Sequence, residues 1–197
     1  MIKFFNIIPG GFYGILSVLV SLLGDLIALF FFPEYSMIHY DISHLALGPA
    51  GAIFNIGLIF SGILAIPFNL YLGQIIKGKG INESLRTKTV IISTIASIAL
   101  ALIGVFPAHP DNIILLVMHG LMALIFFFGV TIVFIIYGYF FLRSSRFSKI
   151  HAYMSFFVAS IIILYMIISY SILEWIAMFA IMISVGFLSI FTIFKGF

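Results

Sequence analysis

Residues 40–57 read YDISHLALGPAGAIFNIG, and this one stretch passes from a polar segment into a helix of membrane length. Its first half carries Asp41 and His44, with His39 just ahead of it. Gly48-Pro49-Ala50-Gly51 then interrupts any regular element. From Gly51 an apolar run begins, and its one amide is Asn55. Polar groups that lead straight into a lipid-compatible helix mark a membrane boundary, so the flanking segments can be placed from it.

Outward from this stretch the chain is almost all apolar. Of its 197 residues, 64% are hydrophobic and 8% charged, against roughly 25% charged in ordinary soluble domains. A water-facing domain has too few charges here to cover it. Apolar runs occupy about residues 11–32, 50–72, 90–106, 112–142, 151–171 and 175–194, each near the ~20 residues that a helix needs to cross the hydrocarbon core. The expectation is an all-α polytopic membrane protein, a bundle of six transmembrane helices in one domain over residues 1–197. Pro33 closes the first run, and Pro107 and Pro110 make the turn between the third and fourth. Pro67 inside the second run removes a backbone hydrogen bond and predicts a kink. The fourth run is long enough to require tilt or protrusion.

All nine lysines and arginines fall on one side of this plan. Lys3 is in the N-terminal lead, Lys77, Lys79, Arg86 and Lys88 in the second loop, Arg143, Arg146 and Lys149 in the fourth, and Lys195 at the end. The first, third and fifth loops hold none. Positive charge marks the cytoplasmic side, so both termini are expected in the cytoplasm of a multi-pass cell-membrane protein. Trp175 at the outer boundary, with Tyr137 and Tyr139 near the inner one, fits interfacial aromatic anchoring. The basic charge is spent on topology, and no nucleic-acid partner is expected. On this plan the Asn82-Glu83-Ser84 sequon is on the wrong side for glycosylation and is read as chance. Gly10 and Gly14 form a small-xxx-small pair suited to close helix packing.

The sequence excludes several chemistries. It has no cysteine, hence no disulfide, thiolate metal site or cysteine nucleophile. P-loop, dinucleotide and HExxH patterns are absent. Ser17, Ser21 and Ser43 lack a placed base, and serines in membrane helices more often bond to their own backbone. The first apolar run exceeds the core of a secretory signal and no small-residue cleavage site follows it, so it is expected to remain in the chain.

The remaining polar residues gather at the opposite face. Glu34, Asp41, Asp111 and Glu174 fall in the outer loops, and His39, His44, His109 and His119 lie at or near the same side. Two explanations stand: an outward-facing polar site, or loops that lack lysine for topological reasons and fill with other polar groups. Depth singles out three residues. Asp25, Asn55 and His119 each lie roughly 8–10 Å below the outer boundary at about 1.5 Å per residue, and Asp25 shares a helix face with Ser17 and Ser21. A carboxylate at that depth must find a donor, bind an ion or carry a proton. The candidate pocket is Asp25, Asn55 and His119, with His39, His44, Asp41 and His109 around it. The plainer alternative is an Asp25–Asn55–His119 hydrogen-bond cluster that only pins helices together. A metal held by His119 with His39, His44 or His109 has no diagnostic ligand spacing to support it, and no other cofactor is expected.

The run Ser43-His44-Leu45-Ala46-Leu47-Gly48-Pro49 followed by Phe54-Asn55-Ile56-Gly57, and Gly104-Val105-Phe106-Pro107 followed by His119, together carry a resemblance. The chain resembles the prokaryotic six-span membrane family called domain of unknown function 998 and, more distantly, the Frag/DRAM/Sfk group, several of whose members are tied to lipid handling. The likeness covers spans one to four best. It implies a six-span fold and sets Asn55, Phe106-Pro107 and His119 at pattern positions; it implies no activity.

The functional expectation is a non-enzymatic integral membrane protein that binds lipid, a partner subunit or a second copy of itself through an outer-leaflet polar pocket. The alternatives are a metal-dependent intramembrane lipid hydrolase around Asp25 and the outer histidines, and a proton-coupled transporter using Asp25. The late paired histidines of alkaline-ceramidase-like hydrolases have no counterpart, because spans five and six contain only His151, at their inner edge.

Overall fold

The computed structural model describes residues 8–77 and 80–196; Lys3 and Lys79 of the charge pattern lie outside the described residues. Six long helices follow in chain order: α1 Gly10–Phe30, α2 Gly51–Ile75, α3 Glu83–Val105, α4 Ile113–Arg143, α5 Lys149–Ile168 and α6 Ser171–Lys195. A 3-10 helix, Ile42–Leu47, lies between α1 and α2. All six long helices are of a length and hydropathy to cross a membrane. No strand occurs among the described residues.

Each helix packs on the next, and α6 returns to α1. The result is a ring of antiparallel neighbours in which α1 and α4 stand on opposite sides. The loops after α1, α3 and α5 gather at one end, here the acidic end; the loops after α2 and α4 gather at the basic end. Large apolar side chains such as Leu19, Leu23, Phe60, Phe128 and Phe157 point out of the ring, as lipid contact requires. Tails of lipid are as apolar as leucine, so the helices are held together by close packing of small residues. Gly24 and Gly57 bring α1 and α2 backbone to backbone: a Cβ on either would stand 3.2 Å from the other's Cα. At Gly62 a Cβ would fall 2.5 Å from the Ser97 carbonyl oxygen, which sets the α2–α3 approach. The Gly10–Gly14 pair serves two neighbours, Gly10 lying against Tyr71 of α2 and Gly14 against both Ser189 of α6 and Phe68 of α2.

Polar residues define the helix starts. Asn82 accepts from Leu85 N at 2.9 Å, Asn112 from Ile114 N at 3.1 Å and Leu115 N at 3.2 Å, and Ser148 from Ile150 N at 3.4 Å. These caps satisfy amides that the first turn leaves without a partner. They also explain where the helices depart from the apolar runs. α3 begins at Glu83, about two turns before residue 90, because a capped turn can extend beyond the hydrocarbon where hydropathy gives no signal. Its Arg86 there pairs with Glu83 and donates to the Gly73 carbonyl at the end of α2. Asn82, the sequon asparagine, is the cap of this helix. α2 continues through Pro67 as a single helix to Ile75.

Two aromatic expectations are corrected. Trp175 is not an interfacial anchor: it is 2% exposed and lies inside the acidic end, because α6 starts at Ser171 rather than at Trp175 and rotates the indole inward. Tyr137 is likewise buried in the ring. Tyr139 does reach the surface, where the Arg143 guanidinium lies 4.6 Å from its ring centre.

Candidate functional site

The ring encloses a cavity of about 120 Å³, walled by α1, α2, α3, α4 and α6. Most of its wall is apolar, with Phe126 and Phe134 from α4 and Met178 and Met182 from α6. A belt of small polar groups interrupts it. Ser17 and Ser21 come from α1, Ser61 and Asn69 from α2, and Ser93 and Ser97 from α3. These groups largely satisfy each other. The Ser17 hydroxyl lies 2.9 Å from the Ser61 carbonyl oxygen and 3.0 Å from its hydroxyl. Asn69 Nδ2 donates to Ser97 Oγ at 2.9 Å, and Ser97 Oγ donates to the Ser93 carbonyl at 2.9 Å. Tyr137 of α4 lines the same wall.

At the acidic end the segment between α1 and α2 folds over the ring as a cover. Tyr35 is its centre. Its hydroxyl donates to the carbonyls of Tyr40 at 2.9 Å and Asp41 at 2.8 Å, and accepts from Trp175 Nε1 at 2.8 Å. His44 stacks on Tyr40 at 4.3 Å between ring centres and faces Phe32 at 6.0 Å. Glu174 fastens this cover to α6: its Oε2 accepts from Ile42 N at 2.9 Å, the first amide of the 3-10 helix, where a carboxylate suits the exposed N–H groups. The Tyr165 hydroxyl faces the same carboxyl. Burial raises the pKa of the Tyr35 phenol above its ordinary value; the Trp175 hydrogen bond works against this, and the nearby Glu174, Asp41 and Asp25 carboxyls add to it.

Asp25 lies between cover and cavity. It stands one turn, about 6 Å, beyond cavity-lining Ser21 on α1, as Glu174 stands one turn beyond cavity-lining Met178 on α6. It is 2% exposed. Neither of its carboxyl oxygens has a hydrogen-bond partner among the described residues.

The candidate residues named from sequence divide into two groups. Asp41 and His44 belong to the cover and Asp25 lies beneath it, all three around the shared neighbour Tyr35. His39 and His109 are exposed on loops. His119 is buried on α4 and its Nδ1–H donates to the Phe106 carbonyl at 2.8 Å. The expected Asp25–Asn55–His119 hydrogen-bond cluster does not form, because equal depth does not make neighbours and α4 stands across the ring from α1. His119, Phe106 and Asn55 instead build an α2–α3–α4 packing corner, where Gly104 lies against the Asn55 carbonyl. Among the described residues no three of histidine, aspartate and glutamate stand where they could share a metal ion. Tyr35 and the Asn69–Ser93–Ser97 belt have no place in the sequence reading, where Glu174 and Trp175 figure only as an outer-loop acid and an interfacial anchor. The Ser93/Ser97 spacing of four was a usable signal; the depth of Glu174 was not, since an acid beside a turn reads as a loop residue.

A closed ring of six spanning helices with a polar-belted cavity defines a helical multi-pass membrane protein. The chain belongs to the family described as Protein of unknown function (DUF998), whose model matches residues 15–190. No curated protein and no solved structure matches it, so the more distant likeness to the Frag/DRAM/Sfk group gains no support.

Proposed function

We propose that the protein binds an amphipathic, lipid-class molecule inside its helix ring, with an apolar segment in the cavity and the polar end toward Asp25 and the cover. The supporting observation is the cavity of about 120 Å³, reached one turn below a buried acid that has no hydrogen-bond partner among the described residues. An apolar cavity of about 150 Å³ in a soluble protein takes up benzene, so this space suits a short segment of a chain rather than a whole tail. We place the acidic end at the outer leaflet and both termini in the cytoplasm, since the basic residues among the described ones, Lys77, Arg86, Lys88, Arg143, Arg146, Lys149 and Lys195, belong to the other end. A hydrolase reading would need convergent ligands that the histidines do not supply. Proton-coupled transport would need a second relay group, and Glu174 is engaged in holding Ile42.

The test is photocrosslinking with a phospholipid whose acyl chain carries a diazirine. Adducts on Phe126, Met178 or Met182 are expected. Adducts confined to outward-facing residues such as Leu19 and Phe157 would refute cavity binding. Orientation is checked by impermeant thiol labelling of intact cells, which native cysteine does not obscure. Cysteines at the exposed positions Glu34 and Asp111 should label, and one at exposed Ser148 should not; the reverse would invert the topology.

A further inference from the structure

We propose that the mouth of the cavity is a site for an organic cation, the ammonium group of an amine-bearing amphiphile seated against Asp25 beneath Tyr35 and Trp175. This rests on, and deepens, the lipid-binding reading. Three independent observations carry it. The first is Asp25 itself, buried at membrane depth with neither oxygen partnered among the described residues. An unpaired acid there is costly unless something supplies a donor, and the described residues supply none. The second is the charge inventory. No lysine or arginine occurs between Lys3 and Lys77, or between Lys88 and Arg143, or between Lys149 and Lys195. The described cationic residues therefore sit at the basic end, while Asp25, Asp41 and Glu174 all act on Tyr35 at the acidic end. An anionic headgroup would meet repulsion here and no compensating donor.

The third is the aromatic neighbourhood of the acid. Tyr35, close enough to feel the Asp25 carboxyl, is joined edge to face to Trp175 with ring centres 5.9 Å apart. Aromatic faces attract an ammonium group, and their apolar bodies tolerate the first carbons of its chain. Asp25 is one turn from Ser21 and thus from the cavity that would take the rest of that chain. An ammonium at Asp25 places a charge-assisted hydrogen bond on an acceptor that has no donor among the described residues, and it does so without disturbing Glu174, whose carboxyl is already engaged at Ile42.

Trp175 is the chain's only tryptophan, so its fluorescence reports this mouth directly. Purified protein in nanodiscs is titrated with hexylammonium, hexanol and methylammonium. The expected result is a Trp175 response to hexylammonium at about tenfold lower concentration than to hexanol, the advantage of a hydrogen bond to a charged group. Asp25→Asn keeps the side-chain size and an acceptor oxygen, and should bring the hexylammonium response down to that variant's own response to hexanol. Equal response of the wild type to both would overturn the cation site yet leave lipid binding standing. Retention of the preference by Asp25→Asn would overturn the assignment to Asp25. A response to methylammonium as strong as to hexylammonium would show a site for small free amines instead of an amphiphile. Silence toward all three, with adducts also absent from Met178 and Met182, would remove the lipid reading together with this one.

Discussion

The two ends of the ring are closed by different means. At the basic end His151 sits among Phe141, Phe147, Phe187 and Phe191, with ring centres between 4.4 and 6.0 Å away. Its Nδ1–H donates to the Ser148 carbonyl at 3.2 Å; its Nε2 has no partner among the described residues. Arg86 there satisfies the Gly73 carbonyl and Glu83 together. At the acidic end the cover is aromatic too, but the hydrogen bonds of Tyr35 and Glu174 tie it in place, and the acid beneath it has no donor among the described residues. An imidazole wrapped in rings can remain neutral with one nitrogen idle, at modest cost. A carboxyl with both oxygens idle is a larger expense in lipid. The contrast separates an end whose polar groups are largely satisfied from an end where a buried acid lacks a donor among the described residues.

Both ends hang on the same helix frame, and breaking that frame should have the largest effect. Gly62→Leu forces a side chain into the Ser97 carbonyl and Ala101 amide; a loss of about 3 kcal/mol or more is expected, read as a collapse of thermal stability in detergent. Glu174→Ala should act at the acidic end alone. It strands the Ile42 amide, at about 1.5–3 kcal/mol, and limited proteolysis within residues 33–49 should rise while the segment between α4 and α5 stays protected. Glu174→Gln retains an acceptor and should recover most of the loss. Trp175→Phe removes one donor from Tyr35 and should cost about 1 kcal/mol. Smallest of all, His151→Phe exchanges an imidazole with an idle nitrogen for a ring among rings, and melting should move by no more than the equivalent of about 1 kcal/mol. A larger loss there would mean that the basic end also depends on a polar contact, and the contrast would weaken.

The six helices were legible in the sequence because lipid demands long apolar runs and little else. The stripe of Ser17, Ser21 and Asp25 was legible too, since a spacing of four keeps side chains on one face whatever surrounds them. Its partners were not. Asp25 and His119 share a depth, yet the order of helices around the ring sets α1 and α4 apart, and no local pattern encodes that order. Glu174 and Trp175 read as a turn because hydropathy weighs composition and ignores which way the first turn of α6 faces. Arg86 read as loop because the capped start of α3 lies outside the apolar window. Helix existence follows from solvent; the site follows from register and rotation, which only the assembled ring fixes.

The central claim is that the cavity is occupied by a lipid-class ligand. Ala65 lines it from α2, and Ala65→Phe would put a ring into a space of about 120 Å³. Native mass spectrometry of wild type and variant, released gently from the same nanodiscs, compares what each retains. The wild type should keep a bound lipid that the folded variant has lost, with equal thermal stability showing that the ring is intact. Identical lipid adducts on both proteins would contradict the account, because binding would then lie on the outer surface and not within the ring.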